Sequence, residues 1–131
     1  MRRFVSLPLV AFVLSLAACS TVEHAGLERK RTQQLQLYDH AVRWGELAAS
    51  YDFLEPGLEA QPPAGLDNVR VTGYEELSRV PRGEHEFERR VKIEYVLEDR
   101  QQVKHLIDRQ RWRYDAKKET WLRANRPPEF R

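Results

Sequence analysis

The sequence predicts an α+β fold in which N-terminal helices pack on a curled antiparallel sheet of three to four strands. Apolar residues recur every three to four positions over about residues 27–54, which is the period of a helical face. From residue 69 onward the period falls to two, as in strands with one wet face. Helices that precede all the strands are typical of α+β proteins.

The chain begins with an export-signal pattern. Met1-Arg2-Arg3 is positively charged, and residues 4–18 carry no charge. That stretch is shorter than the roughly 20 residues that a membrane-spanning helix needs. Residues 1–18 are therefore predicted to be a removable signal peptide.

The end of this segment, Leu16-Ala17-Ala18-Cys19, resembles the bacterial lipobox. The resemblance implies cleavage between Ala18 and Cys19 and attachment of a diacylglycerol to the Cys19 thiol. Because Ser20 rather than Asp follows, it also implies an outer-membrane location facing the periplasm. Residues 19–26 would form a lipidated tether to the bilayer. The alternative is an ordinary signal peptide in which a cysteine happens to follow a small-residue cleavage site.

Removal of the signal changes the charge balance. Lys plus Arg falls from 22 to 20, against 20 Asp plus Glu, so the formal net charge becomes zero. Nucleic acid is therefore not predicted as a partner. The run Arg29-Lys30-Arg31 is the one basic cluster near the lipid, and it either contacts anionic head groups or forms a solvated helix face. A single cysteine excludes an internal disulfide and a thiolate zinc cluster.

A single α+β domain is predicted over residues 27–124. It would begin with a helix, a turn and a shorter helix that share one apolar face, and Leu37 and Trp44 would widen that face. Its main positions are Leu35, Tyr38, Ala41, Val42, Gly45, Leu47, Tyr51 and Leu54. Residues 56–67 contain five helix-breaking residues, three Pro and two Gly, and are predicted to be a loop.

Strands are predicted over residues 69–74, 87–97, about 101–114 and 120–122. The second has the clearest alternation, with Arg89 as a break in its apolar face, predicted to lie at the open end of that face. In the third, the apolar positions change phase near Leu106-Ile107, which suggests a β-bulge that would curl the sheet. Pro127-Pro128 ends the regular structure, and residues 125–131 are predicted to be an irregular tail.

The helical segment and the aromatic strands resemble the nuclear transport factor 2-like superfamily, and most closely its uncharacterised bacterial lipoproteins. The resemblance rests on residues 38–54, Arg111-Trp112-Arg113-Tyr114 and Trp121-Leu122. It implies a cone-shaped fold with a cavity between sheet and helices, and often a homodimer through the sheet. It implies no reaction, because that fold carries enzymes and binding modules alike. A competing interpretation treats Trp44-Gly45-Glu46 as part of a tetratricopeptide-type hairpin, although no second copy is present.

Enzymes of the cone fold place an Asp, His or Tyr in the cavity as a general acid or base. Asp108, His105 and Tyr95 are the candidates here, but His105 and Asp108 lie on opposite faces of a regular strand unless the bulge brings them together. An aspartate on a strand with a wet face is more often a surface residue. His40, beside Asp39, is more often a residue at the flank of a helix.

No metal site or cofactor is predicted. The four histidines, His24, His40, His85 and His105, lack ligand spacing. Glu84-His85-Glu86 falls in a predicted turn.

The function predicted is that of a noncatalytic envelope lipoprotein whose domain binds a protein partner or a small apolar ligand. The alternative is a small cavity enzyme of the ketosteroid-isomerase type. A possible pocket or contact surface is formed by four aromatic residues, whose alternative role is core packing: Tyr95, Trp112, Tyr114 and Trp121.

We expect the protein produced in a bacterium to begin at Cys19 and to carry acyl chains there, because the lipobox supplies both the cleavage site and the thiol. Mass spectrometry of the mature protein measures this, with Cys19→Ser as the unlipidated control. An unmodified Cys19 thiol, or a processing site elsewhere, would contradict the prediction.

Overall fold

The computed structural model describes residues 7–58 and 61–131, with side chains from residue 19 onward. Part of the predicted signal peptide, residues 1–6, lies outside the described residues. The long helix α1 spans Leu7–Arg43, and a short 3₁₀ helix spans Leu47–Phe53. A second 3₁₀ turn, Leu66–Asn68, leads into the sheet.

Residues 19–26, predicted to be a tether, are helical and lie within α1. A helix rises 1.5 Å per residue, so these eight residues cover about 12 Å instead of the ~26 Å of an extended chain. Within the described residues, no helix is both long enough and apolar enough to span a membrane.

Four antiparallel strands form one sheet in the order β1-β2-β3-β4. Their bounds are β1 Val69–Pro81, β2 Glu86–Leu97, β3 Gln102–Asp115 and β4 Thr120–Arg123. The helices pack on one face of this open sheet, which confirms the predicted α+β class. Strand β1 is seven residues longer than predicted, because its second half is mostly exposed and lacks the apolar signal used to define it.

The buried face of α1 is narrower than predicted. Leu35, Tyr38 and Val42 are buried against the sheet, whereas Leu37 is 54% exposed and Trp44 is 70% exposed. Leu37 and Trp44 therefore do not widen the buried face, as the sequence pattern had suggested.

The predicted bulge at Leu106-Ile107 is wrong. The register between β2 and β3 is continuous from Glu86↔Arg113 to Leu97↔Gln102. Strand β3 instead turns its even-numbered residues inward from Leu106 to Tyr114, and Val103 and Ile107 remain 62% and 42% exposed. The register shifts lie in β1, between Val71 and Gly73 and between Glu76 and Ser78.

Aromatic rings fill the space between α1 and the sheet. Phe87, Trp112 and Trp121 are at most 1% exposed. Tyr38 of α1 contacts Trp112 edge to face, with ring centroids 5.0 Å apart. Side chains thus occupy the region between helix and sheet where the family resemblance implies a cavity.

Candidate functional site

A hollow lies between the C-terminal end of α1 and the beginning of β1, and we call it the Trp44 groove. Its volume is about 560 Å³, which falls in the range of small-molecule sites. The lining residues come from the two ends that meet there: Val42, Arg43, Trp44, Gly45, Leu47, Val69, Arg70, Val71 and Thr72.

The end of α1 places the indole of Trp44 in solvent. The helix ends at Arg43, and the backbone N–H groups of Trp44 and Gly45 both donate to the carbonyl oxygen of His40, at 2.8 and 3.0 Å. A Cβ on Gly45 would lie 3.2 Å from the backbone of Ala41, so glycine permits this close turn. Trp44 is therefore displayed at the rim of the groove.

Arg43 contacts both walls of the groove. Its Nη1 donates to the carbonyl oxygen of Val71 at 2.8 Å, and its guanidinium lies 3.9 Å from the centre of the Trp44 ring. A cation over an indole face is attractive, which holds the ring at the rim. Buried Val42, Leu47 and Val71 supply apolar surface to the groove.

A buried polar cluster lies between α1 and the sheet. Arg123 is fully buried and forms two hydrogen bonds of 2.7 and 2.8 Å to the carboxylate of Asp108. It also donates to the Tyr38 hydroxyl at 2.6 Å. Gln110 extends the cluster, because it donates to Asp108 and accepts from Arg89 and from the Trp112 indole.

Arg89 forms the second half of this cluster and is 2% exposed. It donates to Asp39 at 2.5 Å, to Glu76 at 3.1 Å and to the Tyr74 hydroxyl at 3.0 Å. Burial alone would lower the pKa of Arg89, but hydrogen bonding to Asp39 and the other partners raises it, so it stays charged. Arg89 thus faces the interior, and the prediction that it marks an open end is wrong.

Burial shifts two tyrosine pKa values at this cluster. Loss of water around Tyr38 raises its pKa to about 12, although Arg123 opposes the shift. Desolvation likewise raises the pKa of Tyr74, against the effect of Arg89. Both hydroxyls therefore stay protonated at neutral pH and serve as hydrogen-bonding groups.

The three predicted acid or base candidates are not brought together. Asp108 is 2% exposed and paired with Arg123, so its prediction as a surface residue is wrong. His105 lies on the opposite face of the sheet, where it contacts Glu94 at 3.0 Å. The Tyr95 hydroxyl donates to the backbone oxygen of Arg131 at 2.9 Å. The described residues therefore place none of the three beside another in a common cavity.

The predicted aromatic contact surface belongs to the core instead. Trp112 and Trp121 are at most 1% exposed, and Tyr95 is 4% exposed. Tyr114 is half-buried against Trp121, with ring centroids 5.6 Å apart. The third tryptophan, Trp44, is the exposed one. Its exposure was missed because the three-to-four spacing of α1 also assigns Trp44 to the buried face.

The basic run at Arg29-Lys30-Arg31 is mostly bound to the domain. Lys30 donates to the Tyr114 hydroxyl at 3.3 Å, and Arg31 pairs with Glu28 and lies over the Phe87 ring. Arg29 remains exposed. Two of the three charges thus hold α1 on the sheet, which corrects the expectation of a wholly solvated or membrane-facing run.

No group of three or more His, Cys, Asp or Glu side chains that could hold a metal ion occurs in the described residues 7–58 and 61–131. Comparisons with protein-family models, with curated proteins and with solved structures give no match to the chain.

We expect Asp108→Asn to lower the free energy of unfolding by about 3 kcal/mol or more, because it leaves the buried Arg123 without its counter-charge. Denaturant unfolding followed by circular dichroism measures the loss. The control is Glu98→Gln, which breaks the Arg70–Glu98 pair, whose side chains are 61% and 51% exposed. Such surface pairs contribute about 0 to 1 kcal/mol. Equal losses in the two variants would contradict the assignment.

We expect stability to fall as the pH rises from about 10 to about 12, in part because Tyr38 must keep its proton in the folded state. A folded-state pKa above the unfolded value stabilises the protein fully below the unfolded pKa and progressively less above it. Two pKa units correspond to roughly 2 to 3 kcal/mol. Unfolding free energies across this pH range should therefore fall less steeply in Tyr38→Phe. Parallel curves for the two proteins would contradict the prediction.

Proposed function

We propose that this protein is a noncatalytic envelope lipoprotein, anchored in the outer membrane through Cys19 and facing the periplasm, whose domain binds a protein partner at the Trp44 groove. The observation that carries the binding role is the 70% exposure of Trp44 beside an open, partly apolar hollow. Trp is enriched among the residues that dominate binding energy at protein interfaces, and an indole left in water gains much by being covered.

The position of the groove relative to Cys19 supports a partner that approaches from the periplasm. Helix α1 runs unbroken from Cys19 to Arg43, a rise of about 36 Å at 1.5 Å per residue. The groove lies at the far end of that helix from the proposed lipid. The acyl chains would be sufficient for anchoring, since each buried methylene contributes about 0.8 kcal/mol.

Two features of the groove favour a protein over other partners. It is partly open to solvent, and its apolar residues are bordered by the polar residues Arg43, Arg70 and Thr72. An apolar centre with a polar rim is the usual anatomy of a protein interface. The volume of about 560 Å³ also favours a second candidate, a small apolar ligand held against Trp44.

The enzyme alternative has less support. Asp108 and Tyr95 are both engaged in hydrogen bonds inside the domain, and His105 lies on the opposite face. A general acid or base has to reach its substrate, directly or through one water. The acid and base candidates identified in the sequence do not line the Trp44 groove.

We expect a photoreactive amino acid at position 44 to crosslink to a partner protein in intact bacteria. The same amino acid at position 103 is the matched control, because Val103 is an apolar residue 62% exposed on the opposite face of the sheet. An adduct specific to position 44 would support the proposal. Recovery of the monomer alone, or identical adducts from both positions, would contradict it.

The purified partner then gives a quantitative test. Trp112 and Trp121 are buried, so fluorescence quenching by acrylamide should report mainly on Trp44, and Trp44→Phe should identify its share. Binding of the partner should protect this fluorescence. Trp44→Ala should weaken binding by about 2 kcal/mol or more, roughly 30-fold, without loss of stability. Protection by a small apolar probe in the absence of any crosslinked protein would favour the second candidate.

A further inference from the structure

The face of the sheet opposite α1, which we call the outer face, pairs most of its charges across strands. Glu86 of β2 lies opposite Arg113 of β3, and their side chains are 3.6 Å apart. Glu94 lies opposite His105, at 3.0 Å. Opposite charges at directly facing positions stabilise an antiparallel pair.

One cross-strand pair departs from this pattern. Arg90 of β2 lies directly opposite Arg109 of β3, and both side chains are exposed. Like charges at facing positions are destabilising. Lys92 lies two residues further along β2 on the same face, but it faces Glu75 of β1 and so follows the opposite-charge pattern.

Carboxylates of the described residues lie near the pair but form no ion pair with it. Within residues 7–58 and 61–131, neither Arg90 nor Arg109 forms an ion pair. Other arginines in the sheet or in the turn after β1 do so: Arg70, Arg79, Arg82, Arg111 and Arg113. Glu88, the nearest acid along β2, is bound to Arg82 at 3.1 Å. Arg90 and Arg109 thus keep their guanidinium donors available.

A hollow of about 310 Å³ lies at the same place. Its lining residues are Glu88, Arg89, Arg90, Arg109, Gln110, Arg111 and Asn125. Facing residues of an antiparallel pair have Cα atoms about 4.5–5.5 Å apart, so two long side chains can converge on one small group. A guanidinium presents its N–H donors as a planar fork, which fits the oxygens of an oxyanion.

We propose that the Arg90–Arg109 pair is a binding site for a phosphate group. A phosphate dianion would neutralise two facing cations together, which one carboxylate cannot do. The site lies on the opposite face of the sheet from α1 and shares no lining residue with the Trp44 groove. Its occupancy is therefore independent of the function proposed for that groove.

Titration of the full chain with pyrophosphate in a neutral detergent tests the site, with ionic strength held constant by sodium chloride. Calorimetry should show saturable binding that weakens at least about tenfold in Arg90→Ala and in Arg109→Ala, as expected for the loss of charge-assisted hydrogen bonds. The matched control is Arg100→Ala, because Arg100 is an exposed arginine in the turn between β2 and β3. That variant should bind like the unmodified protein.

Arg109→Glu gives a folding control, since it converts the like-charged pair into an opposite pair. It should abolish binding while the thermal midpoint stays equal or rises. Vesicles with phosphatidic acid, compared with phosphatidylcholine alone, identify the source of the phosphate. Arg90-dependent binding to them would indicate a lipid head group, and binding of pyrophosphate alone would indicate a soluble or polymeric phosphate.

Three results would overturn the proposal. The first is an absence of saturable binding to either phosphate source. The second is an equal loss of affinity in Arg100→Ala, which would indicate general charge attraction. The third is binding of a polyglutamate peptide through Arg90 and Arg109 with no binding of phosphate, which would assign the site to acidic proteins.

Discussion

Burial of the Arg123 guanidinium constrains the whole fold. Taking a charge out of water costs several kcal/mol unless partners replace the lost hydration. Those partners come from three places: Asp108 of β3, the Tyr38 hydroxyl of α1, and backbone oxygens of the segment after β4. These hydrogen bonds form only when β3 and β4 are in register and α1 is packed on the sheet at the same time.

Arg89 is a second buried guanidinium that needs hydrogen-bonding partners, and it finds them in α1 and β1. It joins β2 to Asp39 of α1 and to Glu76 of β1, while Gln110 connects it to the Asp108–Arg123 pair. Burial raises the pKa of Glu76, but hydrogen bonds from Arg79 and Arg89 outweigh this and lower it. The polar side chains of this cluster are thus bonded to one another, whereas the Trp44 groove and the outer face carry polar groups open to binding.

The sequence predicted those parts of the fold in which apolar residues occupy inward positions and polar residues occupy outward ones. In β2, strict alternation identified Phe87, Val91 and Ile93 as inward residues, and all three are buried. The prediction failed in β3, where Asp108 and Gln110 point inward and Val103 and Ile107 point outward. A hydrophobic pattern cannot show that a buried arginine from another strand will pair with an aspartate. In β3 the polar residues therefore lie inward and two apolar residues lie outward, and this reversal was interpreted as a bulge.

The candidate sites were less predictable than the fold. Trp44 follows the spacing of the buried face of α1, and its exposure results from the turn at Gly45 beyond the last helical residue. The facing of Arg90 and Arg109 depends on the β2–β3 register, which the misplaced bulge would have shifted. Both features arise from relations between elements, whereas the resemblance to a lipobox rests on four consecutive residues of the chain.

The unbroken run of α1 from Cys19 to Arg43 has a consequence for where binding takes place. Under the proposed anchorage, a helix normal to the bilayer would act as a ruler of about 36 Å, slightly more than the ~30 Å hydrocarbon thickness of the membrane itself. A protein whose exposed part rises less than this above the surface would pass beneath the Trp44 groove. The length of α1 would then determine which proteins can reach the groove, before their side chains determine which of them bind.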